Sequence, residues 1–220
     1  DIIKPGITTA EIDRLGEEFI KKHGANPSFK GYRGYPASVC VSINKEVVHG
    51  IPSKKRIIND GEVVSLDIGA FYKGFHGDAA RTIGVGNISL EADHLIKTTR
   101  ESFYKGIEKA YIGNRLSDIS HSIQSYAEKN GFSVVRDYVG HGIGRKMHES
   151  PQIPNFGRPG HGPSLKKGMT VAIEPMLNAG SYQVKTLNDG WTVITSDGSL
   201  SAHYENTIAI TDNGPEILSI

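Results

Sequence analysis

Two acids stand where strands should be apolar. Asp67 interrupts the run Val63-Val64-Ser65-Leu66-Asp67-Ile68, and Glu174 lies inside Met169-Thr170-Val171-Ala172-Ile173-Glu174-Pro175-Met176. Both runs read as strands, as do Val193-Ile194 and Thr207 to Ile210, the latter headed by Glu205. A carboxylate in a buried strand is costly unless it is paired or holds a metal ion. Asp78 joins this set through a hairpin whose turn lies in Phe71-Tyr72-Lys73-Gly74-Phe75. If the turn is centred between Tyr72 and Lys73, Asp67 and Asp78 stand directly opposite. If it is centred between Lys73 and Gly74, they are diagonal on the same face. Opposed side chains lie roughly 5 Å apart, and like charges there repel. A cation between them removes the repulsion; without one, a carboxyl keeps its proton. An arginine such as Arg81 is the alternative partner for any single acid, but the chain offers too few basic residues at matching positions for all four. Four carboxylates carry about −4, which two divalent ions would neutralise.

Of nine histidines, three stand in chemically suggestive surroundings. His141 and His148 lie in Gly140-His141-Gly142-Ile143-Gly144-Arg145-Lys146-Met147-His148, and His49 lies in Val48-His49-Gly50. Flanking glycines let backbone and ligands approach a ring closely, and a neutral imidazole serves as metal ligand or proton carrier. His23, His94 and His121 sit in helical segments and read as surface residues, and His161 lies in a Gly/Pro-rich loop. His76 and His203, each two positions before an acid of the set, suit a supporting or a packing role. The one cysteine, Cys40, sits in Val39-Cys40-Val41 and reads as a small strand hydrophobe rather than a nucleophile.

Three helices must carry these strands. Thr8-Thr9-Ala10-Glu11 is a capping box, followed by Ile12, Leu15, Phe19 and Ile20 at helical spacing, with Gly24 as stop. Ser89 precedes a second helix with Leu95, Ile96, Thr99, Phe103 and Ile107 on one face. Ser117 opens a third, with Ile119, Ile123 and Tyr126 inward and Gly131 at its end. An offset of 107 residues relates Gly6, Ile12 and Gly24 to Gly113, Ile119 and Gly131, and it lays Asn59–Asp67 over Lys166–Glu174 with Gly61 on Gly168 and acid on acid. The chain therefore reads as one domain over 1–220 built from a duplicated α+β half, approximately 1–88 and 112–220, with the middle helix as bridge.

Composition sets the outer bounds. With 37% hydrophobic and 22% charged residues the chain is globular, and a formal net charge of +1 gives no bulk electrostatic case for nucleic acid. No apolar run of about 18 residues is present, so no membrane-spanning segment is expected. A single cysteine permits no internal disulfide and suits a reducing compartment. The segment Asp1-Ile2-Ile3-Lys4-Pro5-Gly6 reads as the tail of an earlier helix, so a leading segment is expected before it. No His-Glu-x-x-His helix, P-loop or Gly-x-Ser-x-Gly elbow occurs.

Taken together, several segments resemble the type I methionine aminopeptidases. They are Gly31-Tyr32-Arg33-Gly34-Tyr35-Pro36 through Cys40-Val41-Ser42-Ile43-Asn44, Val48-His49-Gly50-Ile51-Pro52, Asp67 with Gly77-Asp78, Gly140-His141-Gly142-Ile143-Gly144, Thr170 to Met176, and Ser201 to Thr207. The resemblance covers essentially the whole chain. It implies the pita-bread fold: two similar α+β halves around a curved antiparallel sheet, with helices outside. It implies removal of N-terminal methionine from peptides and nascent proteins, with two divalent metal ions (Co, Mn, Fe or Zn) held by Asp67, Asp78, His141, Glu174 and Glu205, of which Asp78 and Glu205 bridge. His49 and His148 match the family's substrate-facing histidines. Glu174 is the candidate to carry the proton to the leaving nitrogen while also binding metal. Tyr32, Tyr35, Cys40 and Trp191 match positions lining the methionine pocket, with Phe29 and Met147 beside it; many relatives carry Phe in place of Met147. A cytoplasmic monomer, open to encounter with the ribosome, is expected. The alternatives are a prolidase-type dipeptidase, which shares fold and ligands but has an additional N-terminal domain, and a non-catalytic binding module of the same fold that has lost its ligands.

Overall fold

The computed structural model describes residues 2–219; Asp1, the head of the segment expected to end an earlier helix, and Ile220 lie outside the described residues. Residues 2–6 carry no helix and end in a turn. Helix α1 (Thr9–Lys22) starts where Thr8 accepts a hydrogen bond from the Glu11 amide, satisfying one of the helix's orphan donors. It buries Ile12 and Ile20. Between them Gly16 leaves no room for a side chain, since a Cβ there would stand 2.5 Å from Val39 Cγ2. That close approach narrows the seam to positions 12, 16 and 20. Phe19, expected inward, is consequently 65% exposed.

Helix α2 (Leu90–Ile107) is capped by Ser89 and buries Leu95, Thr99 and Phe103 as expected, while Ile96 is only half-buried. Helix α3 (Leu116–Lys129) begins one residue before the expected Ser117. Its first turn is closed by the Asp118 carboxylate, which accepts from the Arg115 amide at 2.8 Å. Ser117 instead ties the helix to the loop at His161 through both its hydroxyl hydrogen bonds. Tyr126, expected inward, is half-buried and turns its hydroxyl to Glu101.

The main sheet has nine strands, all antiparallel. Its centre runs Val39–Ile43, Val63–Tyr72, Phe75–Gly84, Glu205–Thr211, Thr170–Ile173 and Gly140–Gly142. Strand alternation separates two faces. Val39, Val41, Ile43 and Val64 pack with Ile12 of α1. Val171, Ile173, Ile208 and Ile210 pack with Leu95, Phe103, Ile119 and Ile123 of α2 and α3. The opposite face gathers Phe29, Tyr35, Cys40, Ile143, Met147 and Ala172. The acids lie on that second face.

The hairpin is centred between Lys73 and Gly74, so Asp67 faces Ala80 and Asp78 faces Gly69. Of the two registers allowed above, the diagonal one is realised. Lys73 (φ 47°) and Gly74 (φ 91°) both take the left-handed conformation, the signature of a two-residue turn that matches strand twist.

Candidate metal centre and substrate pocket

Sheet register writes the site in two rows. Cys40 pairs with Asp67, Asp67 with Ala80, and Ala80 with Glu205, so one line across three strand junctions carries two acids on one face. Thr207 pairs with Ala172 and Ala172 with His141 in a second line. Asp78 is locked to that line: its amide donates to Thr207 Oγ1 at 2.8 Å and its carbonyl accepts from Ser219 Oγ at 2.7 Å. Glu174 corrects the expectation of a mid-strand acid. The Thr170–Ile173 strand ends just before it, and Met176–Asn178 resumes in a separate three-stranded sheet. Pro175 has no amide proton with which to continue the ladder, so the chain changes sheets at Glu174 and turns its side chain in toward His141 and His203.

Two of the acids are buried and two, Asp67 and Glu174, half-buried, all without counter-charges. Asp78 and Glu205 are 4% and 2% exposed, and neither they nor Asp67 or Glu174 pairs with a lysine or arginine among the described residues. Arg81, the alternative partner, spends its guanidinium on the carbonyls of Ala80 and Glu205 and on Asn206 Oδ1. Burial raises Asp67, Glu174 and Glu205 well above the carboxylate range, with the charge of Asp78 adding to each, and it pushes Asp78 up to about 7. Asp67 Oδ1 and Glu205 Oε1 are buried with no hydrogen-bond partner.

His141 supplies the decisive detail. Its Nδ1 lies 2.9 Å from the Gly142 carbonyl. A carbonyl only accepts, so Nδ1 carries the proton and Nε2 presents a bare lone pair. Burial keeps the ring below its ordinary pKa, hence neutral. That lone pair points at Glu174 Oε1 from 3.7 Å, too far for a hydrogen bond. Ligand atoms of Asp78, His141 and Glu205 lie within 4.8 Å of one another, and so do those of Glu174, His203 and Glu205. Carboxylate oxygens and an imidazole lone pair converging with no lysine or arginine among them fit divalent ions.

One cavity of about 140 Å³ holds every residue proposed from the sequence: Asp67, Asp78, His141, Glu174 and Glu205 at one end, Phe29, Tyr35, Cys40, Met147 and Trp191 around the other, with Tyr32, His49 and His148 also on its wall. Tyr35 donates to the Gly50 carbonyl at 2.9 Å and meets Trp191 edge-on at 5.1 Å. His148 Nδ1 lies 2.8 Å from the Tyr32 hydroxyl, its ring stacked on Tyr32 at 5.2 Å. Burial, then His141 and Arg33, keep that imidazole below its ordinary range. His49 has a left-handed backbone (φ 60°) and stands near Tyr138 and Trp191. Two residues were not foreseen as lining or facing the centre. Arg33 lines the cavity. His203, 1% exposed, directs an unpartnered Nε2 at Glu174 Oε2 (3.6 Å) and Glu205 Oε2 (3.8 Å). Its place two residues before Glu205 in an alternating chain was the available signal.

Cys40 is buried, and burial raises its thiol well above the ordinary value. Nucleophilic sulfur needs a thiolate. Cys40→Ala should therefore keep turnover within about tenfold, and iodoacetamide should leave the parent protein active; loss of all activity on either treatment would restore a cysteine mechanism.

The description Metallopeptidase family M24 matches residues 1–212. The methionine aminopeptidase of Clostridium perfringens is 66% identical over 218 residues, 99% of this chain and 87% of that one. The crystal structure of methionine aminopeptidase from Thermotoga maritima superposes with a TM-score of 0.98 at 51% identity, covering 99% of this chain and 88% of that one. The Xaa-Pro dipeptidase of Bacillus anthracis stands further off, with a TM-score of 0.75 at 27% identity, and this chain covers 53% of its length.

Proposed function

The chain belongs to metallopeptidase family M24 and, within it, to the type I methionine aminopeptidases of pita-bread fold; from that membership we propose that the cavity takes an N-terminal methionine and that Asp67, Asp78, His141, Glu174 and Glu205 hold two divalent ions beside it. The observation that carries the reading is the His141 lone pair set beside Asp78, Glu174 and Glu205, acids with no lysine or arginine partner among the described residues, in a cavity walled by aromatic and sulfur-bearing side chains. The dipeptidase alternative is disfavoured by the lower identity and partial coverage of its structure. The non-catalytic alternative is disfavoured by the complete ligand set.

Divalent ions bound there would lower the pKa of water and polarise the scissile carbonyl. Phe29, Tyr35, Met147 and Trp191 enclose the methionine side chain, whose flexible thioether suits an aromatic and sulfur-bearing wall. Their enclosure fixes the scissile bond next to the acids. Glu174, ionised beside bound metal, takes the proton from water and delivers it to the leaving nitrogen. With the Tyr32 hydroxyl donating to His148 Nδ1, His148 Nε2 carries the proton and donates it in a hydrogen bond to the developing oxyanion. His49, held in its left-handed conformation, lines the cavity and orients the substrate.

His148→Ala should lower kcat by about a hundredfold to a thousandfold with metal content unchanged; a variant that lost its metal would show His148 to be a ligand instead. The parent protein, assayed across Mn, Fe, Co and Zn, should release methionine from a Met-Gly peptide in preference to cleaving an X-Pro dipeptide, and the reverse preference would overturn the reading. The spacing of 107 residues recurs between the bounds of α1 and α3 and between the left-handed Gly6, Gly24 and Gly61 and Gly113, Gly131 and Gly168, which supports an internal duplication bridged by α2. No helix among the described residues is long and apolar enough to cross a membrane. A cytoplasmic monomer that meets nascent chains at the ribosome is the setting we propose, supported by the single buried, unpaired cysteine.

A further inference from the structure

We infer that a groove leading out of the methionine pocket past His148 selects acidic side chains in the substrate, at the second to fourth positions after the methionine, and that Arg33, Arg145 and Lys146 determine this selectivity; the inference rests on the pocket reading above. The groove encloses about 710 Å³ and shares Arg33, His141 and His148 with the metal pocket. The pocket itself, at about 140 Å³, has room for one side chain only. The rest of a bound peptide must leave across a rim, and the three shared residues form one that opens into the groove. An extended peptide advances roughly 3.3 Å per residue, so several residues would lie along it.

The charge of the groove is unbalanced. Arg33, Arg145 and Lys146 line it against the single acid Glu149. Among the described residues none of these three cations forms an ion pair, whereas surface cations such as Arg14, Lys21 and Lys97 each do. Glu149 is turned back on its own loop, where it accepts from the Lys146 amide at 2.8 Å. Both guanidinium groups rest over aromatic rings, Arg33 at 5.5 Å from Tyr32 and Arg145 at 5.5 Å from Phe75. Such stacking leaves their N–H edges available to a carboxylate. Arg33 also sits in the left-handed region (φ 51°), an uncommon setting for a long side chain.

Exposed charges contribute modestly one by one and are screened by salt, so the effect belongs to selectivity and capture rate. For the metal-loaded protein, kcat/KM for Met-Gly-Asp-Asp-Ser should exceed that for Met-Gly-Ser-Ser-Ser by on the order of fivefold at low salt, with Met-Gly-Lys-Lys-Ser below both. The spread should collapse near about 0.5 M salt, where the Debye length is only a few Å. It should also collapse in the triple variant Arg33→Asn, Arg145→Gln, Lys146→Gln, in which Asn accepts the left-handed backbone at position 33. Taking ratios between peptides within each variant cancels any general loss of activity. Equal rates for acidic and basic peptides with the parent, or a preference that survives the triple substitution, would overturn the inference while leaving methionine removal intact. Failure to cleave even the Met-Gly-Ser-Ser-Ser peptide would overturn the pocket reading and the groove with it.

Discussion

Asp78→Ala is expected to lose metal binding and turnover together, with kcat/KM falling about a thousandfold or more, since a metal-assisted step is worth several kcal/mol. The carboxylate stands where the two sheet rows meet. It is 4% exposed, and its backbone is held on both sides by Thr207 and by Ser219. Those bonds use main-chain atoms, so alanine preserves them and the variant should fold. It should even gain stability once chelated, because one uncompensated buried carboxyl has gone. Higher stability without metal, alongside lost activity, separates removal of a ligand from damage to the fold. A variant with full activity would end the proposal of a metal centre at these residues.

The metal-free protein should lose stability as pH rises above about 6.5, and divalent metal should reverse the trend. Burial raises all four acids above their unfolded values, Asp78 from 3.8 to about 7 and the other three well above the carboxylate range. Between the unfolded and folded pKa the native state holds protons that the unfolded chain has released, so stability falls with rising pH. For Asp78 that loss amounts to about 4 kcal/mol and is complete near pH 7, so the fall at higher pH belongs to the other three acids. The buried histidines act in a different window. His49, His141 and His203 are lowered by burial, so they cost stability only as pH falls below about 6.5, where the unfolded rings take up protons. Above that value they are neutral in both states and the acids act alone. Each acid still protonated should contribute a slope of about 1.4 kcal/mol per pH unit, readable as a falling urea midpoint. Metal competes with those protons, so the loaded protein should become more stable over the same range. A pH-independent midpoint in the chelated protein would show that the acids are already compensated.

Much of this site could be read from residue types because its cost is local. An acid in an apolar strand announces itself wherever the strand ends up, and Asp67 and Glu205 both lie on the predicted strands. Caps were legible for the same reason, since Thr8 and Ser89 bond to amides three residues on. The misses are those decided elsewhere in the chain. The hairpin register depended on Lys73 accepting a left-handed backbone, which its side chain does not advertise. Glu174 looked like a strand interior until Pro175 ended the ladder and sent the chain into another sheet. Ser117 lost the capping role to Asp118 because a distant loop at His161 claimed its hydroxyl. Phe19 was displaced by a glycine contact with Val39. Arg33 gains its place on the cavity wall from tertiary geometry alone, whereas His203, open in the sequence between support and packing, stands against Glu174 and Glu205.

The central claim is most directly tested by following free methionine released from a Met-Gly-Gly peptide as chelated protein is titrated with a divalent metal. The stripped protein should release none, and release should rise with added metal and saturate. Undiminished release by the stripped protein, or none at saturating Mn, Fe, Co or Zn, would contradict the account.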